Sequence, residues 1–86
     1  MDDMIRNRIM EVFGTLDIPT DGITDETNLG DDLEVDSTEM VEVVVMLESE
    51  FGSKFEAGTE KAKTFGALVA TVREQLEKAG VADAAH

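Results

Sequence analysis

Ile5, Ile9, Val12, Phe13 and Leu16 fall three or four residues apart near the start of the chain. That spacing gathers them on one face of a helix over about Asp2–Leu16. Gly14 stands near its end, and Pro19 blocks its continuation. Phe65, Leu68, Val69, Val72 and Leu76 repeat the rhythm, which predicts a second amphipathic helix over Phe65–Lys78. Lys78 suits a helix C-terminus and Gly80 a stop. Between these segments the pattern breaks. Asp17 to Val35 holds the sole proline, Gly22, Gly30 and many Asp, Thr and Asn, so it reads as a long connection. Ile18, Ile23, Leu29 and Leu33 punctuate it and are expected to tack it to the core. Loops of such length in small domains are often functional. Gly58 to Lys63 leaves room for a short turn of helix.

Val35–Phe51, "VDSTEMVEVVVMLESEF", is ambiguous by propensity. Its middle is β-branched, yet Asp36 and Glu39 have the N-cap and N3 spacing of a capping box. Met40, Val44, Leu47 and Phe51 keep helical spacing, and the run outlasts an ordinary strand. Val41, Val43, Val44 and Val45 each cost about 0.6 kcal/mol relative to alanine in a helix, roughly 2.4 in total. Burying one valine or leucine returns about 1.5–3 kcal/mol, so two or three buried members decide for helix. With Val44, Leu47 and Phe51 inward, Val41, Val45 and Met46 lie toward the edge or outside, near Glu42, Glu48 and Ser49. An apolar strip flanked by acids reads as a docking surface, against the alternative of a bundle tight enough to bury both sides.

Composition narrows the function. The 86 residues suit one small domain with one modest core. With no cysteine there is neither a disulfide nor a thiolate metal site, and the one histidine, His86, is the last residue. The opening "MDDMIRNRI" carries charge where a signal peptide needs its apolar core, so a soluble, cytoplasmic protein is expected. Net charge is −13, and Asp25–Glu60 contains twelve Asp or Glu against one base, Lys54. A field of that sign disfavours nucleic acid and anionic membrane and steers basic protein surfaces inward.

With Asp36 as cap, Ser37 is the first helical residue, and its hydroxyl is not needed for capping. Taken alone it reads as a plain helix-start serine. Its context, "DDLEVDSTEMVEVVVMLESEF", resembles the acyl carrier protein family, the acyl and peptidyl carriers of fatty-acid, polyketide and nonribosomal synthesis. Asp32-Leu33 precedes Asp36-Ser37, Leu47-Glu48 precedes Glu50-Phe51, and "EKAKTF" at Glu60–Phe65 is similar to the turn before the last helix of that family. The resemblance implies a 4'-phosphopantetheine arm on Ser37, next to Asp36. A phosphopantetheinyl transferase would attach it from coenzyme A, and its thiol would hold the cargo as a thioester. It also implies that the acidic helix recognises partners, with Thr38, Glu39, Val41, Glu42, Val45 and Glu48 as candidate contacts. Those partners would be acyltransferases, ketosynthases or adenylating enzymes with basic docking patches. Leu47, Phe51, Phe55, Ala62 and Phe65 are candidates for an acyl slot, or else ordinary core.

Three departures from the family pattern stand out. Thr38 replaces the common Leu or Met, Glu34-Val35 replace the usual glycine before Asp-Ser, and Glu56 stands near the place of a frequent proline. They point toward a specialised pathway such as polyketide synthesis, with fatty-acid synthesis or an aminoacyl carrier as the alternative.

Rivals of other classes fare worse. An enzyme is not expected, because no histidine, cysteine or lysine adjoins Ser37 to activate it. "DETNLGDDLEVD", Asp25–Asp36, has twelve residues with Gly30 sixth, as in an EF-hand loop. However, Leu29 occupies an oxygen-ligand place and the twelfth residue is Asp36 rather than Glu, so no metal site is assigned. An adaptor using the acidic helix without an arm is the third option. The expected fold is an all-α, antiparallel-type small bundle with three main helices, one short helix and a long first loop. The expected organisation is a monomeric carrier domain over 1–80 and a flexible tail over 81–86.

Overall fold

The computed structural model describes residues 2–80. The chain forms three α-helices, α1 (Asp2–Thr15), α2 (Ser37–Phe51) and α3 (Phe65–Lys78), with a short 3-10 helix at Thr59–Lys61 before the last. No strand forms among the described residues; one isolated antiparallel bridge pairs Asn28 with Thr64. The expected tail, 81–86 with His86, lies outside the described residues.

α1 packs against both α2 and α3, and the 3-10 turn bridges those two. The predicted faces supply the core. Ile5, Ile9, Val12 and Phe13 of α1 meet Phe65, Leu68, Val69, Val72 and Leu76 of α3, all buried. Phe13 and Phe65 stack edge to face at 6.2 Å, which adds about 0.5–1.5 kcal/mol beyond their buried area. The inward row of α2 differs from the sequence expectation. Val43 is fully buried beside Met40, Val44 and Leu47, whereas Phe51 is only half-buried. α2 lies in the angle between α1 and the 3-10 turn, so its buried stripe is wider and turned relative to a single 3.6-residue row.

The long connection is pinned from both sides. Ile18 and Leu29 are buried, and Ile23 and Leu33 pack half-buried on the core. Leu29 N–H donates to Lys63 O at 2.8 Å and Phe65 N–H to Thr27 O at 3.0 Å, extending the Asn28–Thr64 bridge. Asp25 is the hub. Its carboxylate accepts two bonds from the Arg6 guanidinium at 2.8 and 3.2 Å, and its carbonyl accepts from Gly66 N–H at 2.9 Å. A β-carbon on Gly66 would stand 2.8 Å from Asp25 Cβ, so glycine is what lets the loop approach α3. Arg8–Glu50 at 2.7 Å and Arg73–Asp2 at 2.9 Å fasten α1 to the other helices.

Candidate functional site

α2 begins as predicted. Asp36 has extended backbone (φ −87°, ψ 177°), and its Oδ1 accepts from Glu39 N–H at 2.8 Å. Only this half of the expected box is made; no bond from the Glu39 side chain back to Asp36 occurs among the described residues. Substituting such a cap by alanine typically costs about 1 kcal/mol. With Asp36 occupied in capping, Ser37 is left exposed at the first helical position. Val35, two residues earlier, is buried and donates its N–H to Leu29 O at 2.9 Å, which holds the approach to the serine. Glu34 takes a left-handed φ of 58°, unusual for a residue with a side chain. It stands where the carrier pattern has its usual glycine.

A cleft of about 360 Å³ opens beside Ser37. The start of α2 contributes Asp36, Ser37 and Met40; the connection contributes Asn28 to Asp31 and Val35; the segment before Thr64 contributes Ala62 and Lys63. Buried Leu29, Val35 and Met40 make its lining partly apolar, and Asn28, Asp31 and Lys63 make it partly polar. A second open cleft, about 300 Å³, lies toward the far end of α2 between Val45, Glu48, Ser49 and Gly52–Lys54.

The residues expected to meet partners form one exposed strip in large part. Val41 and Val45 are 49% and 55% exposed, and Thr38 and Glu42 are also exposed. Glu39 and Glu48 are half-buried. The Glu48 carboxylate accepts from Phe55 N–H at 2.7 Å and its carbonyl from Gly52 and Ser53, so it also turns the chain after α2. Of the acyl-slot candidates, Ala62 lines the cleft beside Ser37. Leu47 and Phe65 are buried in the core, and Phe51 and Phe55 pack half-buried against it.

The linkage after α2 is held by a polar clasp. Gln75, buried on α3, accepts from Glu56 N–H at 2.9 Å and donates to Glu56 Oε1 at 3.4 Å, where Lys78 also bonds at 3.2 Å. Together the Gln75 hydrogen bond and Lys78 hold the Glu56 carboxyl below its usual range.

The EF-hand-like stretch is used differently. Leu29 is buried, Asp32 Oδ2 accepts from Asn28 N–H at 2.8 Å, and Asn28 Oδ1 accepts from Asp31 N–H at 2.8 Å. No group of three metal-ligating side chains assembles among the described residues. No described helix is long and apolar enough to cross a membrane.

The fold is thus a small helical bundle with an exposed serine at the start of α2 beside an open cleft. Residues 5–72 match the family model described as "Phosphopantetheine attachment site". The chain is 34% identical over 74 residues to an acyl carrier protein of Lactobacillus acidophilus, covering 84% of this chain and 92% of that one. An acyl carrier protein of Thermotoga maritima is 42% identical over 55 residues, 63% of this chain and 68% of that one. A solved structure of the acyl carrier protein from Enterococcus faecalis superposes with a TM-score of 0.63 at 31% identity, covering 85% of this chain and 94% of that one.

The chain belongs to the acyl carrier protein family, whose members carry acyl groups on 4'-phosphopantetheine and are not enzymes. Membership implies working contacts with a phosphopantetheinyl transferase and with acyl-processing enzymes.

Lys63 had no role of its own in the sequence analysis, where it stood only as part of "EKAKTF"; its place in the lining of the Ser37 cleft goes with the Asn28–Thr64 bridge, which no local pattern announces.

Proposed function

We propose that Ser37 is the residue that bears the arm. The observation that carries this reading is an exposed Ser37 hydroxyl at the first position of α2, freed because Asp36 does the capping and opening onto a cleft. On transfer from coenzyme A, the serine oxygen bonds to the phosphorus of the phosphopantetheine part and the nucleotide part leaves. A phosphate at a helix start gains about 0.3–1 kcal/mol from the helix dipole when exposed. Asp36 and Glu39 oppose that gain, so the arm is held weakly and swings. Swinging is what delivery to successive enzymes demands.

The strip of Thr38, Glu39, Val41, Glu42, Val45 and Glu48 docks basic patches on those enzymes, Glu48 acting from the rim of the second cleft. Exposed ion pairs contribute about 0.2–1 kcal/mol each, so docking is fast and reversible. The cargo is an intermediate of polyketide or other specialised-metabolite synthesis. Thr38 after the serine and Glu34-Val35 before Asp36 support this over fatty-acid synthesis.

The test incubates the protein with coenzyme A and a broad-specificity transferase and reads intact mass. One phosphopantetheine is expected on the wild type and none on Ser37→Ala, with helical content unchanged. A wild-type mass that stays put while a control carrier is modified removes the reading. Mass spectrometry of protein from its native host identifies the cargo, and a plain saturated fatty acyl chain would overturn the specialised-pathway part.

A further inference from the structure

The seven basic residues of the chain are used unevenly. Arg6, Arg8, Arg73 and Lys78 each form an ion pair, with Asp25, Glu50, Asp2 and Glu56. Among the described residues, Lys54, Lys61 and Lys63 form none. Among the described residues, Lys63 is the one cation lining the cleft that Ser37 also lines, where Asp31 and Asp36 are the anions. Its backbone is fixed: Lys63 O accepts from Leu29 N–H at 2.8 Å, and the next residue, Thr64, bridges Asn28. An exposed ammonium on a long stem is therefore rooted at the cleft wall in a protein otherwise dense with carboxylates.

We propose that Lys63 is a positioning residue that pairs with the phosphodiester on Ser37 and gives the arm a resting pose along the cleft. This rests on the attachment reading above and adds what answers the charge of the phosphate. Without Lys63, a phosphodiester at Ser37 faces Asp31 and Asp36 with no cation among the described residues of the lining. With it, the first segment of the arm lies over the apolar lining made by Leu29, Val35, Met40 and Ala62. The pairing is solvent-exposed and so weak and salt-screened, which lets a partner enzyme draw the arm away.

Phosphorus NMR of the loaded protein tests this. In the wild type the single phosphodiester resonance is expected to stand apart from that of the same protein unfolded in urea, and to move toward it as salt rises. Lys63→Ala and Lys63→Glu should begin near the unfolded position and lose the salt dependence, while Lys63→Arg restores both. Amide spectra of α2 report whether the fold persists; because Lys63 is exposed, it is expected to. A resonance on modified Ser37 that ignores all three substitutions and salt overturns the inference alone. A chain that gains no mass removes the attachment reading and this inference with it.

Discussion

Two sides of α2 carry the same residue types to opposite ends. Val43 is fully buried and Val44 nearly so, whereas Val41 and Val45 are about half exposed, all within five residues. The inward side, with Met40 and Leu47, is fastened by α1 and the 3-10 turn. The outward side, with Ser37, Thr38 and Glu42, is exposed and runs between two open clefts. Burial is where valine repays its poor helix propensity, so the exposed pair is a net loss to stability that folding alone does not explain. The comparison teaches that the side of α2 holding it in the bundle is distinct from the side proposed to bear the arm and meet partners.

The sharpest break of this comparison is Ser37→Ala, expected to abolish arm attachment completely while moving stability by less than about 0.5 kcal/mol. Intact mass and thermal unfolding read the two effects separately, and a large loss of stability would assign Ser37 to the folding side.

Next comes Leu47→Ala against Val45→Ala. Emptying the fully buried Leu47 should cost about 2–5 kcal/mol in urea unfolding, a large share of a small domain's margin. Val45→Ala should stay within about 0.5 kcal/mol yet slow modification by the transferase. Equal destabilisation by both would erase the distinction between the two sides.

Gly66→Ala probes the far anchor of the same architecture. Its methyl meets Asp25 Cβ and O at 2.8 and 2.9 Å, so the loop must withdraw from α3. Overpacking of this kind costs about 1–3 kcal/mol, and the Ser37 cleft should change shape because the bridge at Asn28–Thr64 moves with the loop. Unchanged stability would mean that the loop is not clamped there.

The smallest effect is pH-dependent. Gln75 first, then Lys78, lower the folded-state pKa of Glu56, so its stabilising contribution is present above the ordinary carboxylate range and lost as pH falls through the lowered folded value. Melting temperatures of wild type and Glu56→Gln are expected to differ most near neutral pH and to converge in acid. A gap that persists in acid would show that the clasp does not depend on the ionised carboxylate.

Much of this was readable along the chain because the cues are local. Helical spacing of Phe65 to Leu76 gave the limits of α3, and Asp36 three residues before Glu39 located the start of α2 with Ser37 just inside it. Other features depended on neighbours distant in sequence. That Val43 joins the core while Phe51 is only half-buried reflects where α1 and the 3-10 turn lie. The Thr64 cap on Ala67 N–H and the left-handed Glu34 also escaped a reading tuned to Asp, Ser and glycine.

By itself, then, the order of residues determined the helices, the Asp36 cap, the acidic character of α2 and the serine just inside its start. Each of these is set by side chains a few positions apart, within reach of one turn of backbone. Only the tertiary structure decided that residues 28 and 64 meet, and with them that a cleft forms whose lining includes both Ser37 and Lys63. Those placements join segments dozens of residues apart, through packing of the whole core and backbone bonds that any residue except proline could make.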